Sequence, residues 1–148
     1  MKMQEKKRTI VLVTGGTGLV GNAIREIESK GEDLDYEFIY IGSKDGDLCD
    51  YEQAREIFDR YEPDYVLNLA ARVGGLYANM RANEEFLSSN NSINQNVLAL
   101  CSKFNVKKCI SCLSTCIFPD KVTYPLDETK VIRACSVLTY HKRLFDFE

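Results

Sequence analysis

Apolar positions along this chain follow two alternating rhythms. Continuous or period-two apolar runs at Thr9–Thr14, Tyr36–Ile41, Tyr65–Ala70 and Lys108–Leu113 predict four strands in a sheet buried on both faces. Between them the spacing lengthens to that of amphipathic helices. Leu19–Ser29 reads as the first helix and Tyr51–Tyr61 as the second, with Asp50 as N-cap and Pro63 as its stop. A longer helical region from about Tyr77 to Phe104 is expected to break near Asn83. After a loop over Pro119–Thr129, a last helix is expected from about Ser136. Strand and helix in alternation imply an α/β fold with a doubly wound parallel sheet. Only four strands can be placed, so the sheet reads as truncated, with Lys108–Leu113 at an edge that invites pairing with another chain.

The first strand-to-helix junction carries the most specific local chemistry. In TIVLVTGGTGLVGNAIREI, Thr9 to Ile27, a β-branched run enters a glycine cluster and leaves as a helix. Gly15, Gly18 and Gly21 have the spacing GxxGxxG of a Rossmann-like dinucleotide cradle. Gly15 and Gly16 are expected to use positive φ. Gly18 would leave room for a pyrophosphate, and Gly21 would let the helix lie close to the first strand. Leu19 and Val20 complete the cradle, where an anion would meet exposed helix N–H groups.

Two further loops extend that site. Folds that prefer NAD place an acidic residue after the second strand to hold the ribose 2′-hydroxyl. This chain has Gly42, Ser43 and Lys44 there, and a hydroxyl beside a cation suits a 2′-phosphate, so NADP(H) is the expected cofactor. The alternative is an ordinary polar turn, with Asp45 adjoining it. Asp47 and Leu48 are placed to meet an adenine edge. After the third strand, Leu69 and the small pair Ala70 and Ala71 lie where the cofactor's backbone would pass.

Composition narrows the class. The 148 residues suit one domain, 1–148, and the 45% hydrophobic and 28% charged fractions are those of a globular protein. A net charge of −3 without a basic tract gives no electrostatic footprint for nucleic acid. The opening MKMQEKKR is basic, but the apolar run after it stops at Gly15, so neither a secretory signal nor a membrane span is expected and the chain reads as cytoplasmic. Six cysteines, Cys49, Cys101, Cys109, Cys112, Cys116 and Cys135, are read as reduced thiols, because most sit in or beside predicted strands and helices among Val, Ile and Leu. No metal site is expected: strand alternation cannot converge the thiols of Cys109, Cys112 and Cys116 on one ion.

The segments NLAARVGGLYANM, Asn68 to Met80, and SCLSTCIFPDKVTYPLDET, Ser111 to Thr129, closely resemble GDP-L-fucose synthases, extended short-chain dehydrogenase/reductases. The resemblance runs from about Thr9 to Thr129 and corresponds to roughly the first half of such an enzyme. It implies an NADPH-dependent epimerisation and reduction of GDP-4-keto-6-deoxy-mannose. It further implies that Ser114 hydrogen-bonds the keto oxygen of the GDP-sugar, that Cys116 is the acid/base of epimerisation, and that Lys142 holds the nicotinamide ribose. Homodimerisation through helices near 84–104 and 136–148 is implied too.

One departure from the family pattern bears on turnover. Reductases of this superfamily carry YxxxK, and four residues before Lys142 stands Leu138, which cannot donate a proton. Tyr140, two residues before Lys142, points about 200° away on a helix. The C-terminal substrate domain of the family is expected to be absent as well. The resemblance therefore implies weak or no activity for the short chain, with a non-catalytic NADP(H)-binding fragment, or a dimerisation partner of a full-length homologue, as the alternative.

Overall fold

The computed structural model describes residues 8–31, 35–112, 124, 125 and 127. Its strands are β1 (Thr9–Thr14), β2 (Tyr36–Tyr40), β3 (Tyr65–Asn68) and β4 (Lys108–Ser111). The helices are α1 (Leu19–Lys30), α2 (Tyr51–Tyr61), α3 (Leu76–Arg81) and α4 (Asn83–Lys103). All strand pairs are parallel and the order is β2-β1-β3-β4, so the expected doubly wound sheet forms, with β4 at an edge among the described residues. β2 and β3 end one and two residues earlier than their apolar runs, because the last residues turn into the loops at the carboxyl edge, while β4 ends at Ser111 and Leu113 of its run lies outside the described residues.

Register explains which side chains reach the core. Leu12 lies opposite Ile39 on one side and Val66 on the other, and Val66 lies opposite Cys109, so these four share a face. That face is closed by Ile57 and Phe58 of α2 and by Ile93, Val97 and Leu100 of α4. Leu12, Phe58, Val97 and Leu100 are fully buried, each worth about 1.5–3 kcal/mol of apolar burial. The thiols of Cys101 and Cys109 meet between α4 and β4, and their hydrogen bond draws the Cys109 pKa below the ordinary thiol value. Cys49, Cys101, Cys109 and Cys112 are free.

The opposite face is only partly covered by the described residues. α1 is seated there by Tyr40, whose hydroxyl donates to Glu28 at 2.7 Å while Arg25 lies 4.5 Å from its ring. Further along, Ile110 of β4 remains 52% exposed, so the expectation of a sheet buried on both faces holds for one face and fails at the β4 edge of the other.

Helix ends follow the local chemistry. Asp50 caps α2, accepting from the backbone N–H groups of Glu52 and Gln53 at 2.9 and 3.1 Å. The Gln53 N–H foremost holds this carboxyl below the usual carboxylate range. α2 stops as Glu62 turns left-handed (φ 43°) just before Pro63. The expected break near Asn83 falls at Ala82 (φ −130°, ψ 39°), between α3 and α4. No described helix is long and apolar enough to cross a membrane.

Candidate functional site

In a doubly wound sheet the ligand crevice opens where neighbouring connections leave in opposite directions, at the carboxyl ends of the strands. Here that point lies between β1 and β3, since β2 pairs on one side of β1 and β3 on the other. The loops after β1, β2 and β3 and the first turn of α1 carry all the described residues expected to bind cofactor. The sequence therefore places its candidates on one rim.

The β1–α1 turn is shaped by backbone constraints. Gly15 has φ +64°, and a Cβ there would sit 2.8 Å from the backbone of Leu69 and Ala70. Gly21 is buried, and a Cβ on it would strike the backbone of Gly16. Gly16 does not take the expected positive φ; its requirement is steric, since a Cβ would lie 2.8 Å from that of Tyr40. The turn closes through the Gly18 N–H donating to the Gly15 carbonyl at 2.9 Å. Gly18 is then the N-cap of α1 without a side-chain cap, and no acidic residue lies in the first turn. The first N–H groups of a helix lack partners within it. Leu19 and Val20, 89% and 52% exposed, leave this end accessible. An anion is the natural complement of such a helix end.

After β2, the turn 43–45 is held by the Asp45 carboxylate, which accepts from the Gly42 N–H at 2.7 Å. Asp45 thus performs turn chemistry, and Ser43 and Lys44 stand exposed beside it. Asp47 accepts from the Cys49 N–H at 2.9 Å, so part of its carboxylate shapes the loop. Leu48 is 8% exposed and its side chain belongs to the core. After β3, Leu69 donates from its N–H to the Thr14 carbonyl at 3.1 Å, next to Ala70 and the exposed Ala71.

Beneath the rim lies a polar network that the sequence pattern did not reveal. The buried Thr14 hydroxyl donates to the Asn68 side-chain oxygen at 2.6 Å and accepts from the Ala70 N–H at 3.3 Å. The Asn68 amide then donates to Asn94 of α4 at 3.0 Å. These bonds fix the spacing of the β1 and β3 ends with neutral groups. The one sequence signal for it is a run of poor helix formers, Asn90, Asn91, Asn94 and Asn96, inside a helix.

The Cys112 N–H donates to the Asn68 carbonyl at 3.2 Å, so β4 delivers the chain to the same rim. Ser114, Cys116, Leu138, Tyr140 and Lys142 lie outside the described residues. No cluster able to hold a metal occurs among the described residues. An open groove lined by Glu62, Pro63, Asp64, Lys103, Phe104 and Asn105 lies at the amino ends of β3 and β4, opposite the rim, where this architecture does not place its ligands.

Comparison with known proteins decides the family. The model of the NAD dependent epimerase/dehydratase family matches residues 11–146. The chain belongs to this family. Among curated epimerase/dehydratase relatives, the GDP-L-fucose synthase of Dictyostelium discoideum is 52% identical over 125 residues, which are 84% of this chain and 39% of that protein. The probable GDP-L-fucose synthase of Drosophila melanogaster is 49% identical over 121 residues, 82% of this chain and 38% of that protein. The chain thus spans about two-fifths of the length of these relatives. A crystal structure of a GDP-L-fucose synthetase from Naegleria fowleri bound to NADP superposes with a TM-score of 0.82 at 43% identity, covering 98% of this chain and 47% of that one. The resemblance first carried by Asn68–Met80 and Ser111–Thr129 is therefore matched in sequence and in fold.

Proposed function

We propose that the carboxyl rim of this epimerase/dehydratase family member binds NADP(H). The pyrophosphate would rest on the first turn of α1, with the 2′-phosphate at Ser43 and Lys44 and the cofactor's backbone passing Leu69, Ala70 and Ala71. The observation that carries this reading is the uncapped α1 N-terminus, opened by Gly15–Gly21 at the switch point between β1 and β3. The residues fit the group: the turn is free of side chains where a Cβ would collide, and the exposed cation adjoins the end of β2. Bound NADPH supplies hydride.

We place that binding in the service of GDP-L-fucose formation from GDP-4-keto-6-deoxy-mannose in the cytoplasm, the chemistry implied by resemblance to the Dictyostelium and Drosophila proteins. Ser114 would hydrogen-bond the keto oxygen, Cys116 would exchange the proton beside it, and Lys142 would hold the nicotinamide ribose. Leu138 favours a second reading, in which this chain binds the cofactor without turning it over, because no hydroxyl stands four residues before Lys142. Pairing of two copies through α4 and residues 136–148 completes the proposal.

Titration of the chain with NADPH and NADH, followed by NADPH fluorescence, is the test. NADPH is expected to bind more tightly, with no oxidation on adding the GDP-keto-sugar. Absence of NADPH binding would overturn the cofactor assignment, and steady NADPH oxidation would overturn the second reading.

A further inference from the structure

α4 meets the rim at three separate places through asparagine side chains, beside Ser89 and Glu85, which bond the Arg72 guanidinium at 3.3 and 3.0 Å, and the Ser89 carbonyl, which accepts from the Cys49 thiol at 3.5 Å. Asn96 donates from its amide to the Leu48 and Cys49 carbonyls at 2.9 and 3.0 Å, holding the loop after β2. Asn90 accepts from the Arg72 N–H at 2.8 Å and donates to the Arg72 carbonyl at 3.0 Å, holding the loop after β3 as a neighbouring strand would. Asn94 accepts from Asn68 at the end of β3 itself. At about 100° per residue, Asn90 and Asn94 lie on one flank of the apolar stripe Phe86, Ile93, Val97 and Leu100, and Asn96 on the other. The helix is clamped to the sheet by its stripe, and its flanks reach the two sides of the crevice.

From this geometry we infer that α4 is the mount of the cofactor site, with Asn96 positioning the loop that meets the adenosine ribose and Asn90 positioning the loop on the nicotinamide side. The inference rests on the NADP(H) reading above. It adds a division of labour: each asparagine governs one half of a dinucleotide, because the adenosine ribose sits past β2 and the second mononucleotide lies across the switch point. A carboxamide suits the task. It donates to carbonyls or bridges an N–H and a C=O without placing a charge beside the phosphates.

The test compares two ligands, NADPH and the adenosine fragment 2′,5′-ADP, on the chain and on the variants Asn96→Ala and Asn90→Ala, with thermal unfolding alongside. Asn96→Ala is expected to weaken both ligands about tenfold, and Asn90→Ala to weaken NADPH about tenfold while 2′,5′-ADP changes by less than about twofold. Asn96→Asp keeps the size of the side chain but sets an acceptor against the Leu48 and Cys49 carbonyls, so where the alanine variant folds poorly it should still fold and weaken both ligands at least about tenfold. A merely structural role would lower the melting temperature and weaken both ligands alike in both variants, and that result would overturn the division. If the unaltered chain bound neither ligand, the NADP(H) reading would fall and this inference with it. Binding by the unaltered chain without a split between the variants would overturn the inference alone.

Discussion

The two ends of the sheet are held together by different chemistry. At the amino end, Asp64 accepts from the Ile10 N–H at 3.0 Å and pairs with Lys107 at 2.8 Å, while its backbone bonds Ile10 and Lys107. One charged residue thus joins β1, β3 and the approach to β4. At the carboxyl end the ties between β1 and β3 are neutral, through Thr14, Asn68 and Asn94. The contrast has a physical reading. A carboxylate tying the ends of β1 and β3 would lie beside the open N–H groups of α1 and repel an incoming phosphate, whereas a hydroxyl and amides fix these two strand ends without adding a negative charge there.

Two substitutions should break the rim outright. Gly21→Val places a branched side chain against the Gly16 backbone in a buried turn. The expected result is a loss of about 2–3 kcal/mol in urea unfolding, together with loss of NADPH binding. A variant that unfolded at the same urea concentration and still bound would show that the turn can open. Asn68→Ala comes next. It strands the buried Thr14 hydroxyl and the half-buried Asn94 amide oxygen, and should cost about 1–3 kcal/mol. Unchanged stability there would mean that the neutral network does not hold the strand ends.

These expectations separate what the sequence discloses from what it hides. The four strands, the Asp50 cap and the Gly15–Gly21 turn are legible because each depends on neighbours in sequence: an apolar run, a side chain reaching two or three residues ahead, a backbone that must bend. Gly16 shows the limit, since its constraint comes from Tyr40, a strand away. The bonds Thr14 to Asn68 and Asn96 to Leu48 span 54 and 48 residues, and no local periodicity records them. The break at Ala82 was readable to within one residue, but the purpose of the asparagines beyond it was not. Helix propensity marks them only as unfavourable.

Cofactor preference probes the rim more gently. Lys44 is exposed, so Lys44→Ala should leave unfolding unchanged while weakening NADPH about tenfold and NADH hardly at all. Equal loss for both cofactors would remove Lys44 from the 2′-phosphate site.

The smallest effect is expected at the amino end, and it carries a pH signature. The hydrogen bond and charge of Asp64 raise the Lys107 ammonium above the ordinary lysine value. A raised pKa in the folded state means that this contribution is fully present below the unfolded lysine value and is lost as pH rises through the folded one. Asp64→Asn keeps an acceptor for the Ile10 N–H but removes the charge. Both ends of the pair are partly solvated, with Lys107 58% exposed, so the destabilisation at neutral pH should be slight. Measured by urea unfolding, the gap between the unaltered chain and Asp64→Asn should narrow as pH climbs above the lysine range, with NADPH affinity the same in both at neutral pH. A gap that stayed constant through that window would mean that Asp64 acts only through its hydrogen bond to β1, and the amino end would then be as neutral in its energetics as the rim.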